Sequence, residues 1–443
     1  MKVNYSIIKI IGLLGESDKK RANKFYNTLQ QNHFVQDFFP VKDDGKEDID
    51  GEKFLKDYFY PDFRSLMFIS SDRSENKRFI SNELKQIGLI YKRGEFEKTY
   101  KIQIIKSEIY IFEGNLGLFS LSILPSDENY SIKDVSDILS IVRNFDTNTS
   151  DSILLHQWIS QNILCGLKLR GENVKSDEYS GSKFKLFTVL DIDNIENKRP
   201  DLLYDIATTS PLGSAAGNEF YSPDPEYYTE LMNNRIGVFK NWEALCLFDS
   251  FTCVGNGQLL NPQKPNDNGL YKTWDYTYFR IYLFRLFFKF NIYRYNSEVQ
   301  KNNDNPETLR NNFESFLNKY HVSHISFNFL ANDIFKKTGN SLELEEELAN
   351  FRERINNLSD TIKEEKQSKT NLLLEAVTVL SGLSSIGPVF DILSQVKIYL
   401  AWSSYMFYFI LSVILLLIAF GIIYFLMPEK IKKIWKSIKS TTR

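Results

Sequence analysis

Apolar and polar positions change their spacing several times along this chain, and each change marks an expected element. Apolar residues over 5–14 predict a buried strand, and 17–31 have the spacing of a helix with Asp18 in its first turn. The charged, glycine-interrupted stretch 41–57 predicts a loop, and 65–70 a short apolar strand. Residues 98–124 are expected to be β structure, with runs at 101–105, 108–112 and 118–124 broken at Glu113-Gly114-Asn115 and at Pro125. Helical spacing follows over 131–145, through Ile132, Val135, Ile138, Leu139 and Val142. Residues 184–192 predict another strand and 236–239 with 244–254 a hairpin, while 208–225, rich in Ser, Gly and Pro, reads as a loop. The aromatic stretch 274–295 carries Arg280, Arg285, Lys289 and Arg294. Four cations would be costly in lipid, so a packed core helix is expected there. Helices at 309–320 and 326–337 complete an α+β or α/β body.

The spacing then becomes strict. Asn340 is placed to cap a new helix, with Glu343 completing a box-like arrangement. Leu344, Leu348, Phe351, Ile355, Leu358 and Ile362 follow in 4-3-4-3-4 order, a coiled-coil-like seam. Glutamates crowd its start and lysines its end, which suits the helix dipole. Residues 371–390 form a first membrane segment that is not uniformly apolar. At 100° per residue, Asn371, Glu375, Thr378, Gly382 and Ser385 share an arc of roughly 80°. In lipid such a stripe must face protein or water, so these five are the expected pore-lining residues of an oligomer. The competing use of the stripe is close helix–helix packing.

A second segment has no charged residue from 398 to 428 and is almost wholly apolar over 406–427, enough to span a bilayer. Tyr399, Trp402, Tyr405 and Tyr408 stand at one end, and Lys430, Lys432, Lys433, Lys436, Lys439 and Arg443 follow the other. Lysines also precede the first segment. Both flanks therefore fit a two-pass hairpin with both termini in the cytoplasm.

Composition limits the partners. The 443 residues balance 54 Lys and Arg against 56 Asp and Glu, a net charge of −2 that gives no basis for direct binding to nucleic acid. Three cysteines, Cys165, Cys246 and Cys253, lack paired spacing and fit a reducing compartment. The apolar run at 7–14 is short, contains Lys9 and lacks a cleavage site, so the body is expected in the cytosol with membrane insertion left to the C-terminus.

Local motifs add little chemistry. Residues 43–52 have an acidic look, but an EF-hand register puts Lys46 at the first ligand position and Asp57 at the last, so a solvated loop is expected. His321 and His324 make an HxxH pair with no further zinc ligand beside it. Residues 211–217 offer backbone amides to a phosphate yet lack the Lys-Ser/Thr of a P-loop, which leaves a plain loop. No catalytic arrangement and no metal site are legible, and an enzyme is not expected.

A soluble body, a long helix running into a first membrane helix, a short outer loop, a second helix and a Lys-rich tail resemble the CorA-like divalent-cation channels. EAVTVLSGLSSIGPVF (375–390) is similar to that family's pore helix. The resemblance covers 340–443 and, in general layout alone, the body. It implies a homo-oligomer (a pentamer in the family) in the inner (plasma) membrane, with a divalent cation as permeant ion. The family's Gly-Met-Asn signature is absent: the corresponding region reads DILSQVKIYLAW, so magnesium selectivity does not carry over. Divergent CorA-like proteins also serve as membrane effectors in antiviral, including CRISPR-associated, systems. That branch implies a nucleotide second messenger as the activating ligand.

The expected organisation is an α/β module at 1–150, a second at 151–300, a helical connector at 301–340, a stalk helix at 341–370, a transmembrane hairpin at 371–427 and a basic tail at 428–443. The expected function is a ligand-gated membrane channel or transporter. The alternative is a membrane-anchored sensor or scaffold without conduction, with a tethered hydrolase third.

Overall fold

The computed structural model describes residues 1–14, 29, 33–37, 49–68, 76–112, 116–127, 129–164, 167, 169, 183–193, 195, 199–217, 222–257, 259–260, 271–301 and 306–384. It also describes 387–388, 391–392, 394–395, 405–406, 408–410 and 412–413. The chain divides into two compact units, Met1–Ile355 and Asn356–Arg443.

The first unit is built on a ten-stranded sheet. In chain order its strands are β1 (Val3–Leu13), β2 (Val35–Gln36), β3 (Lys77–Ser81), β4 (Lys85–Arg93), β5 (Phe96–Ile111), β6 (Gly117–Pro125), β7 (Lys185–Ile192), β8 (Arg235–Phe239), β9 (Trp242–Cys246) and β10 (Ser250–Gly255). Their spatial order is β2-β3-β5-β6-β1-β7-β10-β9-β8, with β4 paired to the first half of β5. Only β7 and β10 run parallel among these pairs. The boundary expected near residue 150 does not separate two sheets, because β7 lies directly against β1, with Ile8 opposite Thr188. Strands from 1–150 and 151–300 share one sheet.

Alternation along β1 explains the layering. Ile7, Ile11 and Leu13 enter one core, and Ile8 and Ile10 the other. The second core is closed by α3 (Ile132–Val142), α4 (Leu155–Asn162) and α5 (Arg199–Thr208) through Val135, Ile138, Trp158, Ile159 and Leu203. A capping box starts α3: Asp134 N–H donates to the Ser131 hydroxyl, and the Ser131 N–H to Asp134. The first core is closed by α1 (Ile49–Tyr58), α2 (Pro61–Met67), α7 (Phe279–Lys301), α8 (Pro306–Tyr320) and α9 (Phe329–Ser341). Helix α6 (Pro225–Met232) has no buried residue.

Two sequence expectations are corrected here. The stretch 41–57 is not all loop: α1 covers its second half, with Leu55 and Phe59 in the core. Of the strand expected at 65–70, residues 65–67 are instead the end of α2, and 69–70 lie outside the described residues. Pro61 occupies the first turn, where its missing N–H costs nothing, and Phe63, Leu66 and Met67 are buried at helical spacing. The helix expected at 17–31 lies outside the described residues apart from Leu29.

The aromatic stretch does form a core helix. A π-helical turn at Thr273–Tyr278 leads directly into α7, whose Ile281 to Phe288 are buried on every side. The π turn places Asp275 and Tyr276 over the sheet. Lys9 Nζ lies 3.2 Å from Glu108 and 2.9 Å from Asp275, while Arg78 pairs with Glu108 and Asp37 and donates to the Tyr276 hydroxyl. Burial alone would raise the Glu108 carboxyl, but Lys106, Lys9 and Arg78 reverse this and hold it well below its usual range. The lysine that interrupts the apolar run of β1 is thus one member of a buried ion network. Helix α10 (Leu344–Ser384) follows α9.

Candidate functional site

The 41 residues of α10 form one unbroken helix, about 60 Å long at 1.5 Å per residue. Its opening belongs to the body. Leu344, Leu348, Phe351 and Ile355 are at most 2% exposed, and the Phe351 ring lies 4.1 Å from that of Phe313 and 6.1 Å from that of Tyr295. The first four seam positions therefore find their partner within the same chain. Leu358 and Ile362 are half-buried.

Of the expected pore-lining residues, Asn371, Glu375, Thr378 and Gly382 lie on α10, and Ser385 falls outside the described residues. Asn371, Glu375 and Thr378 are exposed, as are the large apolar residues around them: Leu372, Leu373, Leu374, Val377 and Leu380 are 57–68% exposed. The hydroxyls bond to their own helix. Thr378 Oγ1 donates to the Leu374 carbonyl at 2.7 Å and Ser381 Oγ to Val377 at 2.8 Å. A carbonyl can only accept, so each hydroxyl proton turns inward and the oxygen lone pairs remain outward. The described residues hold no helix long and apolar enough to cross a membrane, and residues 414–427 fall outside them.

The corner between α9 and α10 is specified in detail. Asn340 does not cap α10, because α9 continues through Ser341 and Leu342 closes it. Glu343 is the turning residue, left-handed at φ 54°, and its carbonyl accepts from Glu347 N–H to open α10. A left-handed side-chain-bearing residue costs about 1–2 kcal/mol and persists only where its surroundings hold it. Two cations of α7, one turn apart, do so. Lys289 Nζ donates to the Leu342 carbonyl at 2.5 Å and lies 3.6 Å from Glu347. Arg285 Nε donates to the Phe335 carbonyl at 3.1 Å, and its guanidinium lies over the Phe335 ring. Gly339 makes room for it, since a Cβ there would stand 3.0 Å from Arg285 Nη2. Burial pushes both cations below their ordinary pKa, with Glu345 opposing at Arg285 and Glu347 at Lys289.

Beside this corner lies a cavity of about 500 Å³. Asn340, Ser341 and Glu343 form one wall and the β9–β10 turn, Cys246 to Ser250, another. Ser341 Oγ donates to the Cys246 carbonyl at 2.7 Å, which ties the corner to that turn. Asp249 pairs with both Lys185 and Arg143, and Arg143 also donates to Thr209 Oγ1 at 2.8 Å. Burial alone would raise Asp249, but Lys185 and Arg143 hold it below its usual range. Burial pushes the Cys246 thiol up to about 12, so it stays protonated at neutral pH. No spacing motif marked this cavity, because its walls come from chain-distant helix ends.

The other sequence candidates come apart. In the loop 211–217, Asp205 already accepts from the amides of Gly213 at 2.7 Å and Ala215 at 2.9 Å, so those donors are occupied by the chain itself. His321 stacks on Phe288 with its Nε2 3.5 Å from Glu345, and among the described residues no metal-binding cluster forms. No family model matches the chain, and no curated protein or solved structure matches it either.

Proposed function

We propose that this chain is a homo-oligomeric membrane ion channel or transporter of CorA-like design, whose body senses a small ligand and whose α10 lines the conducting path. The observation that carries this reading is the Asn371–Glu375–Thr378 face of α10. It presents a carboxylate, an amide and outward hydroxyl lone pairs, while Leu373 and Leu380 stand on the opposite side of the same turns. The carboxylate and the outward lone pairs favour cations over anions, while the Asn371 amide can turn either its oxygen or its NH2 to the path. In a bilayer the exposed leucines gain a hydrocarbon environment and the stripe gains water or a neighbouring copy of itself. The charge-free run at 398–428, flanked by lysines, supports a second span beside it.

The body supplies the sensing half. The helix that carries the stripe begins at a corner pinned by Lys289 and Arg285 beside a cavity of ligand size, so a ligand that favours one packing of the corner biases α10. The permeant ion expected from the resemblance is a divalent cation. The absence of Gly-Met-Asn favours a defence effector opened by a nucleotide-type messenger over a housekeeping magnesium transporter.

Planar-bilayer recordings of the full chain test the reading. Cation-selective current is expected, with a reduced cation-over-anion permeability ratio in Glu375→Ala and a smaller conductance in Thr378→Leu. An intact oligomer that passes no current with any nucleotide or divalent cation tried would leave the tethered-scaffold alternative standing.

A further inference from the structure

We propose that the exposed flanks of α10 are the contact between neighbouring copies of this chain, with Arg352 and Lys363 of one copy set against Glu353 and Glu364 of the next in a closed parallel ring. The proposal rests on the homo-oligomer part of the reading above and does not require conduction.

Burial fixes which side of α10 faces the body, because Leu344, Leu348, Phe351 and Ile355 all enter the core. At about 100° per residue, Glu353 points directly away from that seam and Arg352 to one flank of it. Eleven residues make about three turns, so Lys363 and Glu364 repeat those two directions roughly 16 Å further along the helix. Asn371 lies about five turns beyond Glu353 and on the same side, which makes this face continuous with the stripe.

Nothing in the single chain uses these charges. All four side chains are exposed, and among the described residues none of them forms an ion pair or a side-chain hydrogen bond. A helix face built for solvent alone gains stability from opposite charges four residues apart. Arg352, Glu353 and Lys363 have no charged residue at that spacing on either side, and Glu364 has the like-charged Asp360. Asp360 also stands three residues before Lys363 without pairing with it.

The order of the charges specifies the partner. At each level the cation directly precedes the anion, so every copy carries a basic flank and an acidic face about 100° apart at nearly one height. Copies related by rotation about an axis along the helix place equivalent residues level with one another. Arg352 then meets Glu353 of the next copy and Lys363 meets Glu364, across the usual helix separation of about 8–10 Å. Two unlike surfaces on each copy make a head-to-tail contact, the kind that closes into a ring. Neighbouring charges keep the same sense. Glu346 and Asp360 add to the acidic face and Lys366 to the basic flank. Arg354 is turned to its own body, donating to Asn296 Oδ1 at 3.5 Å, and Glu345 lies 3.5 Å from His321. An antiparallel pair would also join unlike charges, Lys363 to Glu353, but copies that enter one membrane in the same direction are parallel.

The test uses the full chain in detergent, as a mixture of unlabelled and heavy-nitrogen-labelled protein, and a carbodiimide that joins a lysine amine directly to a carboxylate in contact with it. Peptides linking Lys363 to Glu364 of a differently labelled chain are expected, and should vanish in Lys363→Arg with the particle mass unchanged. Arg352→Glu combined with Lys363→Glu should raise the concentration at which the particle dissociates at least tenfold. Adding Glu353→Arg and Glu364→Lys to that variant should restore assembly, with the melting temperature of the body constant throughout. A multi-copy particle without the link, or a fourfold variant no better assembled than the double one, would overturn this interface and leave the homo-oligomer reading standing. Links from Lys363 to Glu353 of another chain would overturn the parallel ring. A single-copy particle would refute the interface and the homo-oligomer reading together. The expected links without any flux in liposomes would support the interface and refute conduction alone.

Discussion

The two ends of α10 are both rich in leucine and put it to opposite uses. At Leu344–Ile355 the apolar positions are regularly spaced and vanish into the body, with Phe351 fully buried against Phe313. At 371–380 Leu372, Leu373, Leu374 and Leu380 point in several directions and stand more than half exposed, while Asn371, Glu375 and Thr378 collect on one side. The first end is specified by neighbours in its own chain. The second stands exposed among the described residues. Burial of one end and exposure of the other, within one continuous helix, is the contrast on which the proposed membrane role of the second end rests.

Substitutions at the two ends should therefore fail differently. Phe351→Ala is expected to cost the body about 3–5 kcal/mol, because it leaves a cavity among Phe313 and Tyr295. Denaturant midpoints measure it, and a loss below about 1 kcal/mol would mean the seam is not core. Leu380→Asp should leave the body's midpoint within about 0.5 kcal/mol, as an exposed position does. Its penalty should appear in membrane insertion, at about 3 kcal/mol on an apparent insertion scale. A body destabilised as much by Leu380→Asp as by Phe351→Ala would erase the contrast.

A smaller effect probes the anchored end through pH. Asp249 pairs with Lys185 and Arg143 on the turn that Ser341 grips, and its carboxyl is held below the ordinary value near 3.8. Between its folded and unfolded pKa the unfolded chain binds more protons, so this contribution is complete above the unfolded value and fades as pH falls through the folded one. Asp249→Asn should be less stable than the parent at pH 7, with the difference shrinking toward pH 2. Parallel acid curves for the two proteins would contradict the pairing.

The ease of reading each region from sequence follows the same division. Periodicity revealed the stripe, the seam and the strands β1, β5, β6 and β7, because each obeys a single spacing rule. Strands β3 and β4 were missed, since KRFIS and KQIGLIYKR are too charged to look buried. Arg78 is inside because Glu108, Asp37 and the Tyr276 hydroxyl meet it there. The apolar run at 65–70 predicts a strand, but Pro61 in the first turn starts the short helix α2 ahead of it. Pairing of β1 with β7 joins residues far apart in sequence, so two modules were expected where one sheet exists. The cavity left no local trace for the same reason: its walls are the ends of α3, α5, α6 and α9.

Cysteine accessibility along α10 tests the central claim most directly. Cys246 and Cys253 are buried, with thiols raised by burial, and replacing Cys165 by serine leaves a quiet background. Single cysteines at Glu375, Thr378, Leu373 and Leu380 are then treated with a water-soluble, membrane-impermeant thiol reagent while current is recorded in a bilayer. The account predicts block at Glu375→Cys and Thr378→Cys and unaltered current at Leu373→Cys and Leu380→Cys. Equal block at all four positions, or block confined to the leucines, would contradict it.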